Sequence, residues 1–224
     1  SKVFMQPIET WARLLEYPVP EFRRVALDIE VETPTVEIEG RLTFRVPDPR
    51  EADHQVFCAA LMDSDGKKRV LMLKRPSVRE GSAKIPADVS VEYFNTEKEL
   101  LQTIFEIMWD FPFVVTFNGD DFDLRYLFHR AQKLGIRRSE VPIELGRKVC
   151  LLRYGVHIDL YKFFFNRSIQ IYAFGQKYKD VTLDDVGAAL IGMNKLELNK
   201  GLNDLTYTEL AQYCMRDAEI AFRL

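Results

Sequence analysis

Asp28 and Glu30 lie two residues apart in the run Arg24-Val-Ala-Leu-Asp-Ile-Glu-Val31, which is otherwise apolar after its first residue. The run predicts a buried β-strand over 24–31, and side chains two apart on a strand share a face. Two carboxylates side by side on a core strand repel each other and lose hydration. A divalent cation is the simplest group that would compensate both. Two later segments supply more acids: Asn118-Gly-Asp-Asp-Phe-Asp123 and Tyr213-Cys-Met-Arg-Asp217. The three together point to metal-dependent hydrolysis of a phosphodiester. That reaction needs an activated water and a neutralised leaving oxygen, which two ions about 3.5–4 Å apart can supply.

Oxygen ligands suit magnesium, which takes the rest of its shell from water and phosphate. His54, His129 and His157 are scattered and offer no zinc spacing. Asp123 closes a turn after an apolar strand, within reach of the edge that carries Asp28. Tyr213 and Asp217 are four apart on a helix and share its face. A phenol with an ordinary pKa near 10 is a poor base at neutral pH, so Tyr213 is expected to orient a water. Each motif also has a structural reading. The Asp-x-Glu pair recurs by chance, and the asparagine-led segment can be an Asx turn capping a helix. Asp120 and Asp121 are assigned to that turn and cap, and Asp159 to a buried hydrogen-bonding role.

These residues need a scaffold. Val56–Met62 and Arg69–Lys74 flank Asp63-Ser-Asp-Gly and predict a hairpin, with a short strand at Glu92–Phe94. Thr96 opens a helix whose apolar positions Leu100, Leu101, Ile104, Ile107 and Met108 recur at helical spacing. Phe113–Phe117 predicts a strand, and 121–134 a helix stopped by Gly135. Ribbons are expected at 35–46 and 140–158. Thr182 caps an apolar helix ending near Gly192, and a last helix runs from about Thr206 to Leu224. A short helix over 11–17 belongs to a lead-in, residues 1–22, read as the remnant of an N-terminal domain. Strand, hairpin, helix, strand, helix, strand, helices make a mixed sheet with helices on both faces.

The chain has 224 residues, 47% hydrophobic and 29% charged, as in an ordinary globular protein. No apolar stretch reaches the roughly 18 residues of a membrane span, and the first residues lack a signal-peptide core. Cys58, Cys150 and Cys214 fit neither a zinc pattern nor a disulfide framework; they read as buried, in a reducing interior. The net charge of −3 does not advertise a nucleic-acid binder. Locally it differs: Arg125–Arg153 holds eight basic residues against two acids, either a flank for phosphodiesters or a solvated surface.

Taken together, the motifs resemble the proofreading exonuclease domain of a family B DNA polymerase of archaeal type. The resemblance covers about residues 18–224. Asp28-Ile-Glu30 matches the family's first motif, Asn118 to Asp123 the second and Tyr213 to Asp217 the third, while His157-Ile-Asp-Leu-Tyr161 matches an element between the last two. It implies an RNase H-like fold: a mixed five-stranded sheet flanked by helices, with an extra β-ribbon, over residues 23–224. It implies a 3′→5′ exonuclease with two Mg2+ or Mn2+ ions, in the tyrosine-bearing DEDD group. Asp28 would bridge both ions, Glu30 and Asp217 would complete one site, and Asp123 would bind the second ion. Asn118 and Phe122 would contact the 3′-terminal nucleotides of single-stranded DNA. The expected partners are that DNA end and the polymerase domains of a parent chain, which follow this domain in the family and are absent here. The expected location is cytoplasmic, intracellular and DNA-associated, with no membrane partner. The alternatives are a free-standing exonuclease acting on RNA or oligonucleotides and an inactive nucleic-acid-binding scaffold.

Overall fold

The computed structural model describes residue 13 and residues 16–18, 21–38 and 41–224. Most of the lead-in and most of the helix expected over 11–17 lie outside the described residues.

The first strand, β1 (Arg24–Val31), has apolar partners on both faces because it lies inside the sheet. Its odd positions Val25, Leu27, Ile29 and Val31 pack on α1 (Glu97–Trp109) and α2 (Asp123–Lys133). Its even positions look the other way, with Ala26 joining a cluster that contains Ile220 and Ala221 of α5 (Tyr207–Arg223). Asp28 and Glu30 share that second face by strand alternation.

The hairpin expected at 56–74 is β4 (Val56–Asp63) and β5 (Lys68–Leu73), with β4 antiparallel to β1. The strand β7 (Phe113–Thr116) lies parallel to β1 on its other side, and β10 (Val156–Asp159) lies parallel to β7. The sheet has six strands, in the order β10-β7-β1-β4-β5-β6, where β6 is Val89–Phe94. The resemblance implied five strands; the strand expected at Glu92–Phe94 makes the sixth and begins earlier, at Val89. This edge strand pairs with β5 over six residues, and its exposed Ser90 and Glu92 interrupt the apolar signal. Two small ribbons stand outside the sheet: β2 (Thr35–Ile38) with β3 (Arg41–Phe44), and β8 (Ile143–Leu145) with β9 (Cys150–Leu152).

Local signals account for the helices. Thr96 accepts a hydrogen bond from Glu99 N–H at the start of α1. Between β10 and α5 lie α3 (Leu160–Phe165) and α4 (Leu183–Ile191). Thr182 caps α4 through Asp185 N–H, and Gly192 ends it at φ 65°, a left-handed turn in which a Cβ would be strained. Thr206 and Glu209 form a reciprocal capping box at the head of α5. The three cysteines are free and buried. Among the described residues, no helix is long and apolar enough to cross a membrane.

Candidate metal centre

The register of the sheet creates the site. The strand β7 pairs with β1 only from Arg24 to Ala26 and then turns away. Beyond Ala26 the β7 side of β1 loses its backbone partner, and Ile29 N–H donates instead to Asp123 Oδ1 at 3.2 Å. The second motif is therefore fastened between the two acids of the first.

Opposite, α5 presents a buried stripe that includes Leu210, Cys214, Ala218 and Ala221. Asp217 sits in this stripe with its side chain only 2% exposed, an unusual place for a carboxylate. One oxygen each from Asp28, Glu30 and Asp217 lie within 4.8 Å of one another. Asp217 Oδ1 is buried and has no hydrogen-bond partner among the described residues. Three converging carboxylates, one with an orphaned oxygen, fit a hard divalent cation held by oxygen ligands. Asp123 is outside this close group but near enough for its charge to act on Asp28.

Burial is the largest cause that pushes the Asp28 carboxyl well above its ordinary range, followed by the charges of Asp217, Glu30 and Asp123. Burial, then Asp217, raises Glu30 to about 8. Asp123 rises to about 7, mainly by burial, although the Ile29 N–H works against the shift. Asp217 is also raised by burial, and Lys195 partly offsets this. Burial and the charge of Glu30 push Tyr213 up to about 12, so its hydroxyl keeps its proton at neutral pH.

Sequence reasoning missed Lys195. Its Nζ lies 2.5 Å from Asp217 Oδ2 and 5.3 Å from the centre of the Tyr213 ring. Burial alone would lower its pKa, but Asp217 more than offsets that and raises it. Its loop is pinned on both sides: Lys195 N–H donates to Asp184 Oδ1, and Arg216 Nε donates to Asn194 O, each at 2.7 Å. A single lysine in a loop carries no spacing signal, so only the fold reveals it. Cys214, read as a buried apolar residue, also faces Asp28 Oδ2 across 3.7 Å.

The turn 117–122 is built by a second set of acids. The Asp159 carboxylate accepts from Asn118 N–H at 2.8 Å, Asp120 N–H at 3.1 Å and Tyr161 N–H at 3.0 Å, the role expected for it. Asn118 adopts φ 70°, a region that Asn tolerates better than most residues. An added Cβ on Gly119 would lie 2.2 Å from Thr116 Oγ1, so this position needs glycine. Thr116 Oγ1 accepts from Gly119 N–H and contacts His157 Nε2 at 2.7 Å, while His157 Nδ1 faces Cys150 O at 2.9 Å. Asp120 is tied to Cys150 N–H, Lys162 and His157. The helix-cap role expected of Asp120 and Asp121 is corrected: Phe122 is the N-cap of α2, with no side-chain bond, and Asn118 O accepts from Asp121 N–H and Phe122 N–H instead. Phe122 is half-buried against Tyr126, with ring centres 5.6 Å apart.

A sequence profile for the DNA polymerase family B exonuclease domain matches residues 9–172. The chain belongs to this family. It is 45% identical over 215 residues to DNA polymerase 1 of Saccharolobus solfataricus, covering 96% of this chain and 24% of that protein. It is 37% identical over 214 residues to DNA polymerase 1 of Aeropyrum pernix, covering 96% and 22%. It is 29% identical over 226 residues to a DNA polymerase of Methanocaldococcus jannaschii, covering 92% and 12%. The chain thus spans about a quarter, or less, of the length of these relatives. Its six-stranded sheet, helices and ribbons are consistent with an RNase H-like exonuclease fold.

Proposed function

We propose that residues 23–224 form a 3′→5′ exonuclease domain that hydrolyses the terminal phosphodiester of single-stranded DNA with two Mg2+ or Mn2+ ions. The observation that carries this reading is the convergence of Asp28, Glu30 and Asp217 within 4.8 Å, with one Asp217 oxygen left unpartnered. These three would hold one cation, and Asp28 with Asp123 the second. Bound there, the ions would acidify the attacking water and neutralise the leaving oxygen.

The chain's own groups prepare the site. Lys195 neutralises one oxygen of Asp217 and steadies the ring of Tyr213. Tyr213, protonated at neutral pH, donates a hydrogen bond and orients the water or a phosphate oxygen. Asn118 and the exposed edge of Phe122 receive the terminal nucleotides, on a turn fixed by Asp159. Water adds to phosphorus, the 3′-oxygen of the preceding nucleotide leaves and takes a proton, and a nucleoside 5′-monophosphate departs. Because the relatives are named DNA polymerases, we assign the activity to proofreading in a longer intracellular polymerase chain.

A 5′-labelled single-stranded oligonucleotide tests the proposal. With Mg2+ the chain should yield a ladder shortened one nucleotide at a time. Asp28→Ala and Asp217→Ala should lower the rate at least ~10³-fold, as expected when several kcal/mol of charge stabilisation are lost, while circular dichroism stays unchanged. Equal digestion by parent and variants would overturn it.

A further inference from the structure

The expected basic flank divides in two once its partners are known. Arg130 pairs with Glu97, Lys133 with Asp53, Arg137 with Glu140, and Arg138 and Arg153 with Glu144. Those charges are taken up by the domain itself. Residues 146–179 differ. Besides Arg153 and Lys162, which pair with Glu144 and Asp120, they hold five lysines and arginines and one carboxylate, Asp159, which is buried and engaged by backbone N–H groups. Arg147, Lys148, Arg167, Lys177 and Lys179 are exposed, and among the described residues none has a carboxylate within 4.0 Å. An unpaired cationic surface on a chain of net charge −3 calls for an anionic partner.

Aromatic rings adjoin this segment in a row that runs from half-buried Phe117 and Tyr161 to exposed Phe165. Phe117 meets Tyr161 edge-on at 6.1 Å, and Tyr161 stacks on Phe165 at 5.5 Å and 23°. Tyr161 and Phe165 are four apart on α3 and so share a face. Phe165 is 65% exposed, and nearby in the chain Tyr172 is 86% exposed. The row starts beside the candidate site: Phe117 precedes Asn118, and Asp159 Oδ1 accepts from both Asn118 N–H and Tyr161 N–H. Rings for bases and free cations for phosphates, joined to the nucleotide-receiving turn, are what a single strand needs.

We infer that the Tyr161–Phe165 face of α3, with exposed lysines and arginines of the same segment, binds the nucleotides 5′ to the scissile end of single-stranded DNA. At the ~3.4 Å spacing of stacked bases the row serves about two to three nucleotides. The inference rests on the nuclease reading for the identity of its ligand.

The test is fluorescence anisotropy with oligothymidylates of two to twelve residues, in chelator, so that binding is read without cleavage. Phe165→Ala should weaken the twelve-residue ligand about tenfold and leave the two-residue ligand unchanged, and Phe165→Trp should restore the longer one. Lys177→Ala with Lys179→Ala should flatten the salt dependence. Affinity unchanged at every length in Phe165→Ala overturns the subsite, even if the chain digests DNA normally; the face then belongs to another partner, such as further domains of a longer chain. Length-dependent loss in a chain that cleaves nothing with Mg2+ supports the subsite and removes the nuclease reading alone.

Discussion

Two groups of buried acids stand side by side in this domain and are treated in opposite ways. In the turn, burial would raise Asp120, but hydrogen bonds from His157, Lys162 and Cys150 N–H outweigh it and hold the carboxyl far below its usual range. Asp159 has three backbone N–H donors, and burial still leaves it somewhat raised. On the β1 face, Asp28, Glu30 and Asp217 share one ammonium and mostly face each other. Burial alone does not separate structural acids from site acids. The number of donors aimed at each carboxylate does. The turn acids are satisfied by the protein, and the β1 acids are left for something positively charged to complete.

The largest consequence concerns pH. Glu30 at about 8 and Asp123 at about 7 lie above their unfolded values, so between pH 4 and 8 the folded state binds more protons than the unfolded state. Stability therefore falls as pH rises through that window. In chelator, the thermal midpoint should drop from pH 5 to pH 8 by the equivalent of a few kcal/mol. Added Mg2+ or Mn2+ should recover most of it, and more at pH 8 than at pH 5. A midpoint that rises over this range, or that ignores the metal, would erase the contrast.

Neutral isosteres sharpen it next. Asp28→Asn removes a repelling charge whose one nearby donor among the described residues is the Cys214 thiol, so chelator-treated protein should keep or slightly gain stability. Asp159→Asn turns one accepting oxygen into an amide that faces a backbone N–H, either from Asp120 or from Asn118 and Tyr161. It should cost about 2 kcal/mol, the usual penalty for a buried unsatisfied group. Urea titrations at pH 8 measure both, and equal losses would mean that the acids are alike.

Much of this site was legible in the chain. Strand alternation put Asp28 and Glu30 on one face, and helical spacing put Tyr213 above Asp217. The cap at Thr182 and the stop at Gly192 followed from local chemistry. What could not be read depends on contacts remote in sequence. Lys195 reaches Asp217 only because Asp184 and Arg216 pin its loop. The cap of α2 fell to Phe122 because Asp120 was drawn to Cys150, Lys162 and His157. The first half of β6, Val89–Val91, was missed because an edge strand exposes alternate residues and weakens its own pattern.

Tyr213 brings a hydroxyl to a site of carboxylates, and it offers the smallest and most discriminating test. With its hydroxyl pushed up to about 12, almost none is ionised near pH 7, so it can donate a hydrogen bond but not accept the water's proton as a base. Tyr213→Phe keeps the ring beside Lys195 and removes the donor alone. Cleavage should fall about tenfold, the worth of one hydrogen bond of ~1.4 kcal/mol, and the pH–rate curve should keep its shape between pH 6 and 9. If the phenolate were the base, the parent rate would climb tenfold per pH unit across that range and the variant's would not. A curve that changes shape on losing the hydroxyl would move Tyr213 from orienting the water to deprotonating it.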